Sequence, residues 1–198
     1  SRNPEALRLD LDALLAAINV GRRRLREMIH EEGRRTITDG MAWAIEYAEK
    51  RLSSLLKGWT DGVFHGESVL AHDCQHRENL KIKTRLSVQE GRLSIDFSGT
   101  DAQTSSFVNA TFANAASFAL FPVYSAVADS IPKNYGTLRC IDVVCPEGTL
   151  VNSSYPAPTG WSSQHCGAEI AAAVTDALAK LNPRAAAGHK LFNLRLRG

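Results

Sequence analysis

The chain has 198 residues, with 23 Lys and Arg against 21 Asp and Glu, so its formal net charge at pH 7 is +2. Hydrophobic residues make up 44% and charged residues 22%, which excludes a disordered tail, a collagen-like rod or a coiled coil as the overall architecture. So balanced a charge gives no field that argues for nucleic acid or an anionic membrane as partner. The length fits a single domain or one large domain with a helical appendage. The first residue is Ser1, and a piece of a longer polypeptide, or a processed product, is expected.

Residues 5–57 carry helical periodicity. Leu7, Leu11, Leu14, Leu15, Ile18, Leu25 and Ile29 recur at spacings of three, four and seven. Arg22, Arg23, Arg24 and Arg26 occupy the opposite face, Gly33 ends this helix, and residues 31–35 form a polar corner. A second helix is expected over residues 38–56, capped by Thr38 or Asp39 and closed by Gly58. Its stripe is Met41, Ile45, Ala48, Leu52 and Leu55, and the two helices make a hairpin.

The period then changes to two. Residues 63–70 are strand-like, and residues 80–88 alternate strictly between apolar and polar. Glu90-Gly91 supplies a tight turn, and residues 93–97 return as the second arm of a hairpin. Residues 108–128 are the most apolar stretch. Asn109, Asn114, Ser117, Pro122 and Ser125 interrupt it, so it reads as a buried helix from about Thr111 rather than a membrane span. Residues 140–144 form another strand, residues 146–149 a turn, and residues 153–163 a loop rich in Pro, Ser and Gly. A last helix covers residues 167–181. The order is helices, antiparallel strands, helix, strand, helix, which predicts an α+β fold. The expected divisions are a helical hairpin at 1–58, an α+β core at 59–183 and a divergent tail at 184–198.

The first thirty residues lack the apolar core of a signal peptide. Cys74, Cys140, Cys145 and Cys166 show no CxxC spacing, so reduced thiols in a cytoplasmic protein are expected. The densest set of metal-ligand types is His72, Asp73, Cys74 and His76, with His65 nearby, which suits zinc or another divalent ion. A solvated hairpin loop is the competing reading. His165 and Cys166 sit at a helix start where a thiolate gains stabilisation, against the simpler reading of a small packing residue. Ser98-Gly99-Thr100-Asp101 is a polar corner that could present N–H groups to an anion, or be a capped turn. The loop from Pro156 to Gln164, with Thr159, Gly160 and Trp161, could line a pocket or an interface, or serve as a crossover.

Four segments together resemble one family. They are Arg2-Asn3-Pro4 leading into Asp10-Leu11 and the Arg-rich helix; Asp96-Phe97-Ser98-Gly99-Thr100-Asp101-Ala102-Gln103 followed by Asn109-Ala110; Ile131-Pro132-Lys133-Asn134-Tyr135-Gly136 with Ile141-Asp142-Val143; and Pro146-Glu147-Gly148-Thr149-Leu150-Val151-Asn152 with Pro156. Over residues 2–183 the chain resembles the B-type subunit of ATP-dependent hydantoinases, related also to 5-oxoprolinase and the large subunit of acetone and acetophenone carboxylases.

The resemblance implies an ATP-dependent hydrolase of a cyclic amide. The alternatives are an ATP-dependent carboxylase subunit and a non-catalytic assembly module docking through the Arg22 to Arg26 face. It implies a hydantoinase A-like ATP-binding subunit as partner, a small-molecule substrate, and ATP with Mg or Mn in the full complex. The family's His/Asp metal set would precede Ser1, so no metal or nucleotide residue is carried onto this chain, and the piece alone is not expected to turn over. What carries over by position is Ser98, Gly99, Thr100, Asp101, Asn109, Asn134, Thr159 and Gly160 as candidates for the substrate pocket. The chain departs from the family at Thr159-Gly160-Trp161-Ser162-Ser163-Gln164-His165-Cys166, a change toward a carboxylase-like or divergent member, and again in the tail from His189 to Gly198.

Overall fold

The structure is a computed structural model, and it describes residues 3–127 and 130–182. The expected tail at 184–198 and Arg2 of the first family segment lie outside the described residues. Helix α1 spans Pro4–Glu32. Asn3 starts it by accepting the Ala6 N–H at 3.0 Å, and Pro4 takes a first-turn position where its missing N–H costs nothing. Gly33 ends α1 with φ 83°, its N–H bonded to the Ile29 carbonyl. Helix α2 spans Arg34–Leu56, so it begins four residues before the expected start. Thr38 is not its cap: the hydroxyl donates back to the Arg35 carbonyl from inside the helix.

The chain forms two compact units, Ser1–Glu46 and Tyr47–Gly198. In the first, α1 buries none of its residues. In the second, the end of α2 buries Ala48, Leu52 and Leu56. Its sheet consists of β1 (Gly62–His72), β2 (Glu78–Gln89), β3 (Arg92–Asp96) and β4 (Ile141–Val144), in that spatial order. β1–β2 and β2–β3 are antiparallel, as the alternation predicts. β4 joins the edge parallel to β3, a pairing that the sequence pattern did not announce.

Along β2, Leu80, Ile82, Thr84, Leu86 and Val88 are buried while Lys81, Lys83 and Arg85 face solvent. One face of the sheet is therefore core, and each buried Leu or Ile there contributes about 1.5–3 kcal/mol. The Glu90-Gly91 turn has φ of 50° and 78°, the positive pair that a two-residue hairpin loop needs. A Cβ on Gly91 would also stand 2.7 Å from the Ser53 carbonyl, so this turn and the end of α2 meet closely.

Helix α3 (Phe112–Ala126) and helix α5 (Cys166–Leu181) follow expectation within a few residues, and a short α4 (Tyr135–Leu138) lies between them. α5 lies on β1 and β2, and α3 packs against α5. A Cβ on Gly66 would sit 2.0 Å from the Ala173 carbonyl, so β1 and α5 approach as closely as backbones allow. The result is the expected α+β class. No helix among the described residues is long and apolar enough to cross a membrane.

Candidate functional site

Three loops are laced together in the second unit. The first is the β1–β2 connection. Asp73, only 2% exposed, accepts the N–H groups of Gln75, His76 and Arg77 through one carboxylate oxygen at 2.8, 2.9 and 3.0 Å. Burial pushes its carboxyl upward, but those three donors and the nearby His76 outweigh it and hold the pKa below the usual carboxylate range. The loop carries Cys74 at φ 66°, with its sulfur 3.4 Å from His72 Nδ1.

The second loop is residues 103–109. Asn109 is fully buried; its oxygen accepts the Thr104 N–H at 2.8 Å. Its amide donates to the carbonyls of Thr104, Ser106 and Pro158 at 3.0, 2.8 and 3.0 Å. Ser106 donates its hydroxyl to the Asp73 carbonyl, which ties this loop to the first. Gln103 accepts the Ser154 N–H at 2.7 Å, which ties it to the third.

The third loop is residues 153–165. The Trp161 N–H donates to the Phe107 carbonyl, and the two rings lie 5.4 Å apart. His165 stacks on Trp161 at 5.1 Å and 11°. Burial lowers the His165 pKa, and the positive form of neighbouring His72 lowers it further, so the imidazole is neutral at pH 7. The end of β1 and the loops thus bring His72 beside Cys74 and near His165, which stacks on Trp161. Sequence reading treated these residues separately. The signal that joins them is Asn109, whose capacity for several bonds suits a buried loop-crossing position.

The other candidates divide. Thr159 and Gly160 belong to this cluster, with the Thr159 carbonyl accepting the Ser162 N–H. Thr100 Oγ1 brackets Lys83, accepting its N–H at 3.1 Å and donating to its carbonyl at 3.2 Å. Asp101 accepts the Lys81 N–H at 2.8 Å, and the Ser98 N–H goes to Asp96. Thr100 and Asp101 therefore extend the β3 side of β2, Gly99 turns the chain at φ 94°, and the corner's N–H groups at 98, 100 and 101 are already bonded. Asn134 sits elsewhere in the unit, capping α4 through the Gly136 N–H at 2.8 Å.

The metal candidates do not assemble. Asp73 is occupied by backbone donors. Among the described residues no three His, Cys, Asp or Glu side chains are placed to hold an ion. The residues present therefore do not fit a divalent metal. Nor is Cys166 an activated thiol. It is buried, its sulfur contacts the Leu150 carbonyl, and burial pushes its pKa far up, with Glu169 and Cys145 adding to the rise. Cys145 is likewise pushed up to about 12, by burial first and Asp96 second. All four cysteines are free thiols.

This loop-bearing α+β unit has well-defined relatives. The chain belongs to the Hydantoinase B/oxoprolinase family, which it matches over residues 1–195. The B-type subunit of a putative D-/L-hydantoinase from Pseudomonas sp. (strain NS671) is 28% identical over 193 residues, covering 92% of this chain and 32% of that protein. Among solved structures, the ATP-dependent caprolactamase from Pseudomonas jessenii superposes with TM-score 0.81 at 25% identity, over 88% of this chain and 30% of that one. Nucleotide-free acetone carboxylase shares the fold, with TM-score 0.70 at 17% identity over 81% of this chain and 23% of its own. The chain spans about a third or less of the length of the relatives it matches.

Proposed function

We propose that this chain is part of an ATP-dependent enzyme that hydrolyses the C–N bond of a cyclic amide. In this reading it is the B-type component of a cytoplasmic hetero-oligomer in which a hydantoinase A-like partner binds ATP and the full complex carries Mg or Mn. The observation that carries the reading is the backbone likeness to ATP-dependent caprolactamase at TM-score 0.81. By its name that enzyme acts on a lactam, which is a cyclic amide. The family match over residues 1–195 supports the same class.

An amide carbonyl is a weak electrophile, and phosphorylation of its oxygen turns that oxygen into part of a leaving group. The amide oxygen takes the γ-phosphoryl group as ADP departs. Water then adds at the carbon, the C–N bond breaks as the ring nitrogen takes a proton, and a second water cleaves the acyl phosphate so formed to a carboxylate and free phosphate. On this chain, the surface offered to that chemistry is the loop cluster. Thr159 and Gly160 shape it, Trp161 gives it an apolar plane, and neutral His165 can accept a proton.

A second reading is carboxylation, which the Trp161-bearing departure in the third loop favours. The test is to purify the chain with a hydantoinase A-like partner and follow ADP release. The substrates are a hydantoin, 5-oxoproline, caprolactam, and acetone with bicarbonate. The proposal expects ADP release that needs a cyclic amide and yields its ring-opened product. ADP release only with ketone and bicarbonate would sink it in favour of the carboxylase. No release with any substrate would leave an assembly module.

A further inference from the structure

We propose that Asp176 and Lys180 of α5 form a clip that closes the outer edge of β1 to strand addition, and that the strand it excludes is a copy of β1 itself. The inference does not depend on which reaction the enzyme catalyses. It starts from the edge of the sheet. Among the described residues, β1 has β2 on one side and no strand on the other. It runs for 11 residues, about twice the usual strand length. Such an edge offers a row of N–H and C=O groups on which another strand can pair.

Two of those groups are taken at mid-strand. The Glu67 N–H donates to the Asp176 carboxylate at 3.1 Å, and the His65 carbonyl accepts from the Lys180 ammonium at 2.6 Å. Lys180 and Asp176 stand one turn apart on α5, and the ammonium also donates to the carboxylate at 3.0 Å. The clip thus presents one donor and one acceptor to the strand, as a neighbouring strand would. Gly66 lies between the two clipped residues, and there the absence of a Cβ lets the α5 backbone come in at Ala173 and Ala177. The Ser68 hydroxyl adds a bond to the Glu169 carbonyl at 2.6 Å. The helix that bears the clip is therefore fixed against the strand it guards.

The sequence of β1 says which strand would pair there. Val63, His65, Glu67 and Val69 are exposed and share one face of the strand. Set antiparallel to a copy of itself about Gly66, β1 places Val63 opposite Val69 and His65 opposite Glu67, each pair twice by symmetry. Both are favourable cross-strand neighbours, an apolar pair and an imidazole facing a carboxylate. In that register the His65 carbonyl would accept the Glu67 N–H of the copy, and this bond too occurs twice. The clip occupies both of its ends. It sits at the centre of the pairing that the strand's own sequence favours.

A labelled synthetic peptide of residues 62–72 tests the proposal on the purified chain. By fluorescence anisotropy it binds the double variant Asp176→Leu with Lys180→Met at least about tenfold more tightly than the unaltered chain. Adding Val69→Pro to the double variant cancels the gain, because it removes an outward N–H and leaves the pairing with β2 in place. Amide hydrogen exchange of the unaltered chain gives a second readout that needs no variant. The Glu67 N–H is protected at least about tenfold more than the Val69 N–H, which has the same outward parity. Equal binding of the peptide to both chains, binding to neither, or a gain that survives Val69→Pro would overturn the proposal. So would a Glu67 amide that exchanges as fast as that of Val69.

Discussion

Leucines at regular spacing meet opposite fates in the two units. Leu86 and Leu93 are fully buried, while Leu11 and Leu14 expose 53% and 62%. Both sets carry a clear period, two in the sheet and three to four in α1. The sheet unit supplies its own cover: α5 lies on β1 and β2, and α3 packs against α5. The first unit contributes nothing to cover the α1 strip. Periodicity thus reports which face of an element is apolar, and only the rest of the fold reports what covers it.

The sharpest way to break this comparison is one substitution made twice. Gly66→Ala drives a Cβ into the Ala173 carbonyl and the Ala177 nitrogen, so α5 must move off β1. Urea unfolding should show a loss of about 3 kcal/mol or more. Gly21→Ala meets nothing within 4 Å and lies inside a helix. There the same change should gain about 0.5–1 kcal/mol in the helicity of α1, read by circular dichroism. Equal effects at both sites would contradict the contrast.

Next in size is Asn109→Ala, which unties the loop of residues 103–109 from Pro158 and leaves several buried carbonyls without a donor. A loss of about 2 kcal/mol is expected, with protease cleavage appearing first in the loop of residues 153–165. If that loop stayed resistant, Asn109 would not be the tie between the loops.

A smaller effect follows pH. Burial raises the Glu169 pKa from 4.5 to about 7 and leaves one of its oxygens without a hydrogen-bond partner. Its proton is held more tightly in the folded chain than in the unfolded one. The stability this adds is complete below pH 4.5 and is lost as pH rises through about 7. Glu169→Gln should flatten the stability curve across that window, and an unchanged slope would exclude Glu169 as its source. The smallest change is Leu14→Ala in α1, expected to move the unfolding midpoint of the sheet unit by less than about 0.5 kcal/mol.

The sheet hairpin was legible because burial follows alternation one residue at a time, and Glu90-Gly91 marked its turn. β4 was legible as a strand but not as the parallel neighbour of β3, because four residues carry no sign of which edge they join. The start of α2 was misjudged because a single Gly33 breaks the helices, not a longer polar corner. Of the family-segment residues, Thr100, Asp101 and Asn134 satisfy backbone groups, and Asn109 crosses between loops. The Trp161–His165 stack and its neighbour His72 come from two loops distant in sequence, so no local pattern could join them.

The contrast between a self-covered core and an uncovered helix is tested most directly by amide hydrogen exchange, followed residue by residue. In the chain alone, amides of β2, β3 and α5 should exchange only through global unfolding. Those of residues 7–28 should exchange orders of magnitude faster. Protection of residues 7–28 as strong as that of the sheet, in the chain alone, would contradict the account.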